Sequence, residues 1–390
     1  MSDGKPARSP CQALYIHIPF CARKCPYCSF FSVAGRQRQY QEYVNAVRQQ
    51  INRHAQLRVA ETIDLRTIFM GGGTPTTLAP DLLAALLTAC LQALPHTLSA
   101  GDMEISIEAN PATVNSDGLR ALRRAGFNRI SIGIQSLNDT ELVRLGRLHT
   151  AAEAAQAVRS ARQAGFANIN LDLIYGLPGQ TAANWRTTLH QALELEPDHL
   201  ALYELTLEED TPFARDFEAG KLALPAEEEV LAMLEITGNL TARAGFQRYE
   251  ISNYARPGFQ CRHNLTYWHN RDYLGLGAGA VSCLAGRRRQ AIRNIPEYIR
   301  RMKEKQDVFV DAEQLDRETR FRETMIMGLR MTKGINIEQI RQRFGLDPKT
   351  YYGETLARLI KTGLIRTTAT HIRLSEKGLL LANQVMRELV

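Results

Sequence analysis

The sequence predicts an α/β fold: a partial six-stranded (β/α) barrel followed by a winged-helix-like C-terminal module. Three observations predict it. From Leu14 to about Glu204, short β-type runs alternate with helix-length stretches, the order that builds a parallel sheet or barrel. Three of those runs alternate apolar with polar or small residues. From about Asp311 the pattern changes to helix-like runs closed by a hairpin.

Strands are expected near 14–18, 67–70, 103–108, 129–134, 168–173 and 199–203, and helices near 40–54, 80–93, 116–125, 152–164 and 182–193. Gly126, Gly165 and Gly245 each follow a helical run, as C-terminal caps would. Ile105 and Ile107 alternate with Glu104, Ser106 and Glu108. Ile130, Ile132 and Ile134 alternate with Ser131, Gly133 and Gln135, and Ile169, Leu171 and Leu173 with Asn168, Asn170 and Asp172. Side chains alternate faces along a strand, so each strand has one apolar and one polar face. A doubly covered open sheet would want both faces apolar. A polar second face fits a barrel whose interior holds a polar ligand near the C-terminal strand ends.

Residues 249–286 are rich in Gly, Asn and aromatics and read as an irregular connector. Helix-like runs at 318–329, 337–344 and 351–362 precede a hairpin through Ile365, Ile372 and Leu374, with a last helix from Glu376. The expected division is 1–248, 249–310 and 311–390.

The 390 residues are 44% hydrophobic and 23% charged, which excludes a mostly disordered chain. No uncharged run reaches the roughly 18 residues of a membrane span. The start, MSDGKPARSP, lacks an apolar core for a secretory leader, so a cytoplasmic protein is expected. Net charge is +7, part of it in Arg287–Arg289 and in Arg300, Arg301, Lys303 and Lys305. Such a face is either plainly solvated or drawn to an anionic partner: nucleic acid, anionic lipid or a propionate-bearing ligand. Of seven cysteines, Cys11, Cys90, Cys261 and Cys283 are scattered, while Cys21, Cys25 and Cys28 cluster just after the first strand. In a cytosolic chain that clustering reads as metal or redox chemistry. Three thiolates on one loop suit a [4Fe–4S] cluster with one open iron. Zinc would need a fourth ligand, for which His17 is the nearest histidine, and unmetallated thiols are the remaining reading.

The CxxxCxxC loop, with Gly71-Gly72-Gly73-Thr74-Pro75 after the second strand, resembles the radical S-adenosylmethionine (SAM) superfamily. The resemblance implies Cys21, Cys25 and Cys28 as cluster ligands. It implies Tyr15, Tyr27, Gly72, Gly73, Thr74, Glu108, Gln135, Arg147 and Asp172 around SAM, with Arg147 meeting its carboxylate and Asp172 near its ribose. SAM's amino and carboxylate groups would chelate the open iron, and one electron would cleave the S–C5′ bond to a 5′-deoxyadenosyl radical.

The runs Tyr15-Ile-His-Ile-Pro19, Glu108-Ala-Asn-Pro111, Ile132-Gly-Ile-Gln-Ser136 and Asp172–Pro178 are similar to the oxygen-independent coproporphyrinogen III oxidase group. One branch decarboxylates two propionates to vinyls. The other is the HemW-type heme chaperones. Phe30 stands where the oxidases continue to CxxxCxxCxC, and only 13 residues precede the expected first strand, where the oxidases carry a long extension. His263-Asn264-Leu-Thr-Tyr267-Trp268 matches the chaperones' HNxxYW. The resemblance therefore implies a heme chaperone, with the oxidase as alternative and catalytic activity left open. His263 would ligate heme and Tyr267 and Trp268 would wall it, with Cys261, His269 and His149 as other candidate ligands. Val281 departs from the histidine that relatives often carry there.

Heme-accepting proteins are the implied partners, with peripheral contact to anionic membrane permitted. Nucleic acid is not expected: a reading helix at 348–361 would offer Lys349, Arg358 and Lys361 but also Glu354. The module is expected to cover the barrel mouth or to dock an acceptor.

Overall fold

The computed structural model describes residues 10–56, 63–99 and 101–390. The first nine residues, on which the reading of a leader rests, lie outside them. Six strands run in parallel in chain order: β1 (Cys11–Ile18), β2 (Ile63–Gly72), β3 (Glu104–Ala109), β4 (Arg129–Gln135), β5 (Asn168–Tyr175) and β6 (His199–Glu204). Between them run α1 (Tyr40–Ala55), α2 (Pro80–Ala93), α3 (Ser116–Ala125), α4 (Asp139–Arg144), α5 (Ala151–Gln163) and α6 (Ala182–Glu194). After β6 come α7 (Pro212–Glu218) and α8 (Glu227–Arg243). Side chains from all six strands line one internal cavity. Six flat strands at ~4.8 Å spacing would spread over ~24 Å, so the sheet must curl around that space.

The alternation works as expected. The isoleucines and leucines of β3, β4 and β5 are buried against the helices. Glu108, Ser131, Asn170 and Asp172 face the cavity. Gly126 caps α3 at φ 117, and Gly165 and Gly245 follow their helices at φ 92 and 82.

The connector is not irregular. Residues 247–314 extend the sheet at both edges. Beyond β6 lie β8 (Asn253–Ala255) and β7 (Gln247–Arg248), both antiparallel. Beside β1 lies β9 (Tyr273–Leu276), a seventh parallel strand, followed by antiparallel β10 (Val281–Leu284), β11 (Arg287–Ala291) and β12 (Phe309–Gln314). Leu274, Leu276, Tyr298 and Ile299 join the barrel core. Single-sequence reading missed these strands because they are short and Gly-interrupted. Gly275 is required there: a Cβ would sit 2.0 Å from the Val281 carbonyl oxygen. Between β8 and β9 sits α9 (Arg262–Trp268), and α10 (Ile295–Lys303) packs on α1.

The C-terminal module has its own core around Phe321, Leu359 and Ile372. Helices α11 (Arg317–Leu329), α12 (Ile337–Phe344) and α13 (Pro348–Lys361) meet a three-stranded sheet of β13 (Ile335–Asn336), β14 (Ile365–Thr367) and β15 (His371–Leu374). Two short helices, α14 (Glu376–Leu380) and α15 (Ala382–Arg387), follow. The module packs against α9, not over the barrel mouth. Thr332 N–H donates to the Tyr249 carbonyl at 3.1 Å, and Arg343 donates to the His269 carbonyl at 3.0 Å. The α13 helix breaks at Gly353, which interrupts the face a nucleic acid would read.

Candidate functional site

The chain leaves β1 at Ile18 and enters the cysteine loop. Phe20–Cys21 pairs in parallel with Val33–Ala34, and Val33 N–H donates to the Pro19 carbonyl at 2.8 Å, so the loop closes on itself. Inside it, Cys28 N–H donates to the Cys25 carbonyl at 3.2 Å. Phe213, in the first turn of α7, donates its N–H to the Pro26 carbonyl at 3.1 Å, and its ring packs on Tyr27. Thr74 Oγ1 donates to Cys21 Sγ at 3.7 Å, and Arg147 Nη1 to Cys25 Sγ at 3.5 Å. Two of the three thiols are thus met from two sides, Cys21 by the turn after β2 and Cys25 by the turn after α4.

The glycines after β2 are there for contact. A Cβ at Gly73 would lie 2.6 Å from the Phe20 carbonyl oxygen and 3.0 Å from Cys21 Sγ. Gly72 has φ 117, and a Cβ there would strike the His17 ring at 2.5 Å. Its N–H donates to Glu108 Oε2 at 3.0 Å, which ties the β2 motif to the end of β3.

Below the loop lies a cavity of about 210 Å³ lined by Tyr15, Glu108, Asp172, Arg129, Tyr203 and His263 among others. Burial, with Asp172 close by, pushes the Glu108 carboxyl up to about 7. Burial also raises Asp172, against hydrogen bonds from Asn170 Nδ2 at 2.7 Å and Ser131 Oγ at 3.0 Å. Two part-buried carboxylates facing one space suit a cationic ligand. Arg147 Nη2 donates to the Gly133 carbonyl at 2.6 Å. Beside it Gln135 holds φ 65, a left-handed backbone rare for a side chain, where the β4–β5 register slips.

The expected cofactors fit these residues. His17, the nearest histidine to the loop for a zinc site, has both ring nitrogens engaged, by the Tyr15 hydroxyl and the Phe31 carbonyl, which leaves the three thiols without it as a fourth ligand. The buried Nε of Arg147 has no hydrogen-bond partner, so a donor stands ready for a carboxylate beside the loop. The residues expected around SAM therefore fall into two groups. Tyr27, Gly73, Thr74 and Arg147 surround the thiols; Tyr15, Glu108 and Asp172 face the cavity; Gly72 and Gln135 link the two.

The heme residues do not assemble as expected. His263 and Tyr267 lie on α9, which closes the opposite end of the barrel. Glu104, the first residue of β3, accepts the N–H groups of Arg262 at 2.7 Å and His263 at 3.0 Å. His263 is 1% exposed. Its Nδ1 pairs with Thr67 Oγ1 at 2.9 Å and its Nε2 with the Tyr267 hydroxyl at 3.0 Å. Burial, and then Arg129, lowers its pKa to about 3. Both nitrogens being engaged, His263 has none to offer iron. Trp268 points elsewhere and lies under the Arg330 guanidinium, 4.5 Å from its ring centre. Val281 opens β10.

Sequence reasoning missed several site residues. His17 bridges the Tyr15 hydroxyl at 3.0 Å and the Phe31 carbonyl at 2.8 Å, and so anchors the far end of the cysteine loop. Its signal was the Tyr15-Ile-His17 spacing, which puts both side chains on one strand face. Arg129, Asn170 and Tyr203 line the cavity. Asn170 was visible in the alternation, and Arg129 sits two residues before Ser131 on the same face; Tyr203, at a strand end, carried no comparable signal.

The sequence matches the radical SAM superfamily model over residues 15–192 and the HemN C-terminal domain model over residues 315–381. The heme chaperone HemW of Bacillus subtilis (strain 168) is 36% identical over 376 residues, covering 96% of this chain and 98% of that protein. The heme chaperone HemW of Escherichia coli (strain K12) is 42% identical over 272 residues, 70% of each chain. Among solved structures, coproporphyrinogen III oxidase (HemN) from Escherichia coli, a radical SAM enzyme, superposes with a TM-score of 0.84 at 27% identity, covering 98% of this chain and 90% of that one.

Proposed function

The chain belongs to the HemW family of radical SAM proteins, and on that premise we propose that it is a heme chaperone. It would bind heme and pass it to acceptor proteins while carrying a [4Fe–4S] cluster and SAM at the barrel mouth. Cys21, Cys25 and Cys28 would hold the cluster. Arg147 would meet the SAM carboxylate, and Glu108 and Asp172 would balance SAM's positive charge. When bound, the pair supplies one-electron chemistry at the sulfonium. The protein's part is positional. Thr74 and Arg147 direct O–H and N–H groups at the cysteine sulfurs, and the curled sheet sets the two carboxylates, part-buried, on one cavity.

One observation carries the choice of chaperone over oxidase. Phe30, two residues after Cys28, occupies the place of the oxidases' fourth cysteine and is 68% exposed. The superposition on the oxidase keeps that activity as the second reading.

The test is an anaerobic assay of reconstituted protein with SAM, a reductant and coproporphyrinogen III, run beside a hemin titration. Saturable hemin binding without divinyl product is expected. Catalytic turnover to that product would make the chain an oxidase.

Partners beyond heme and its acceptors gain little from the surface. No helix among the described residues is long and apolar enough to cross a membrane. In the basic run, Arg288 pairs with Glu313 and Glu323, and Arg289 lies over the Phe309 ring at 4.0 Å. Peripheral contact with anionic lipid is thus proposed only through Arg287 and its exposed neighbours. No nucleic-acid partner is proposed.

A further inference from the structure

Nine histidines are present, and their ring nitrogens sort them. His17, His199 and His263 have both nitrogens hydrogen-bonded. His54, His96, His149 and His371 have one bonded, and His190 pairs with Glu194 at 3.3 Å. His269, just past the C-terminus of α9, is exposed, and among the described residues neither of its ring nitrogens has a partner.

The surroundings of His269 are cationic. Arg343 of the C-terminal module donates to the His269 carbonyl at 3.0 Å and the Asn270 carbonyl at 2.5 Å, which fixes its guanidinium beside the helix end. Desolvation on its packed side and the charges of Arg271, Arg343 and Lys333 hold the His269 imidazole below its ordinary pKa, so it is neutral at pH 7. Arg320 and Arg271 in turn press on Arg343, whose pKa burial and these like charges lower. Arg271, Arg320, Arg343 and Lys333 enter no ion pair among the described residues. Asp272 is the carboxylate near them, and it accepts from Ala285 N–H. Next to His269, the Trp268 ring lies at the seam with an indole N–H that has no acceptor.

An unpartnered imidazole amid Arg271, Arg320, Arg343 and Lys333, with Asp272 the one carboxylate named near them, matches an iron porphyrin with two propionates. We propose that the seam between α9 and the C-terminal module is the heme site, with His269 as axial ligand and Arg271, Arg320 and Arg343 as the propionate contacts. This placement rests on the heme-chaperone reading. It puts the cargo at the closed end of the barrel, away from the cluster loop, so carrying heme does not compete with binding SAM.

The test uses the full-length protein and two probes, hemin and metal-free protoporphyrin IX. Hemin should bind the parent chain with a low-spin imidazole spectrum. His269→Ala should weaken hemin binding at least about tenfold and lose that spectrum, while leaving metal-free protoporphyrin binding unchanged. Added imidazole should restore the spectrum in His269→Gly. The double variant Arg271→Ala/Arg320→Ala should weaken both probes. Unchanged hemin affinity and spectrum in His269→Ala overturns the placement while leaving the heme reading standing. A parent chain with no saturable hemin binding overturns the heme reading and the placement together. Equal loss of both probes in His269→Ala would make the residue a structural support and overturn its role as ligand.

Discussion

Gly73 shows how one missing methyl can set a metal site. Its Cα lies against the Phe20 carbonyl and the Cys21 sulfur, so an added Cβ would have to displace backbone at 2.6 Å. Gly73→Ala is expected to lose most of the iron and sulfide bound on reconstitution, with far-UV circular dichroism unchanged. Cys25→Ala should do the same by removing a ligand; full iron content in Cys25→Ala would refute the cluster assignment, and in Gly73→Ala the steric role of that glycine. At the same scale, Glu108 titrates at about 7 because burial and Asp172 oppose its ionisation. A cationic ligand needs the ionised form, so SAM affinity should rise as pH passes upward through about 7 and weaken by about tenfold per pH unit below it. Calorimetric titration between pH 6 and 8 reads this directly. Glu108→Gln should bind more weakly and lose that pH dependence.

Among the elements, α9 depends most on a distant partner. It is seven residues long, and its N-terminal N–H groups are received by Glu104 on β3. A helix that short has little stability of its own. Glu104→Ala should cost about 2 kcal/mol or more in urea melts, since it strands buried donors as well as removing a cap. The same helix carries a pH dependence. The folded pKa of His263 is depressed to about 3, so its contribution is present above the unfolded value of about 6.5 and is lost as pH falls toward 3. Over that window the chain should lose about 1.4 kcal/mol of stability per pH unit from this group alone. His263→Gln should flatten that slope, and an unchanged slope would show the ring is not held neutral.

For the whole molecule, the two ends of the barrel have separate tasks. The C-terminal strand ends and the cysteine loop form one site. The N-terminal ends are closed by α9, on which the C-terminal module rests through Thr332, Arg330 and Arg343. Arg343→Ala removes two bonds across that seam. Amide exchange over the C-terminal turn of α9 should speed up in this variant, while exchange in β3 to β5 stays slow.

Much of this was legible in the linear sequence. Cys21, Cys25 and Cys28 are close in sequence and therefore close in space, so their joint role needed no fold. Period-two alternation put Glu108, Ser131, Asn170 and Asp172 on one face, because strand geometry alone dictates it. The six parallel strands and the separate C-terminal core followed from local pattern. Tertiary structure decided what local pattern does not encode. The β9 strand joins β1 across more than two hundred residues, and it is too short and Gly-rich to announce itself. The state of each histidine was decided the same way. His263 and His269 sit six residues apart in similar company, yet Thr67 and Tyr267 consume both nitrogens of the first while packing leaves the second open. Which imidazole is free depends on contacts with β2 and α12, and those exist only in the folded tertiary structure.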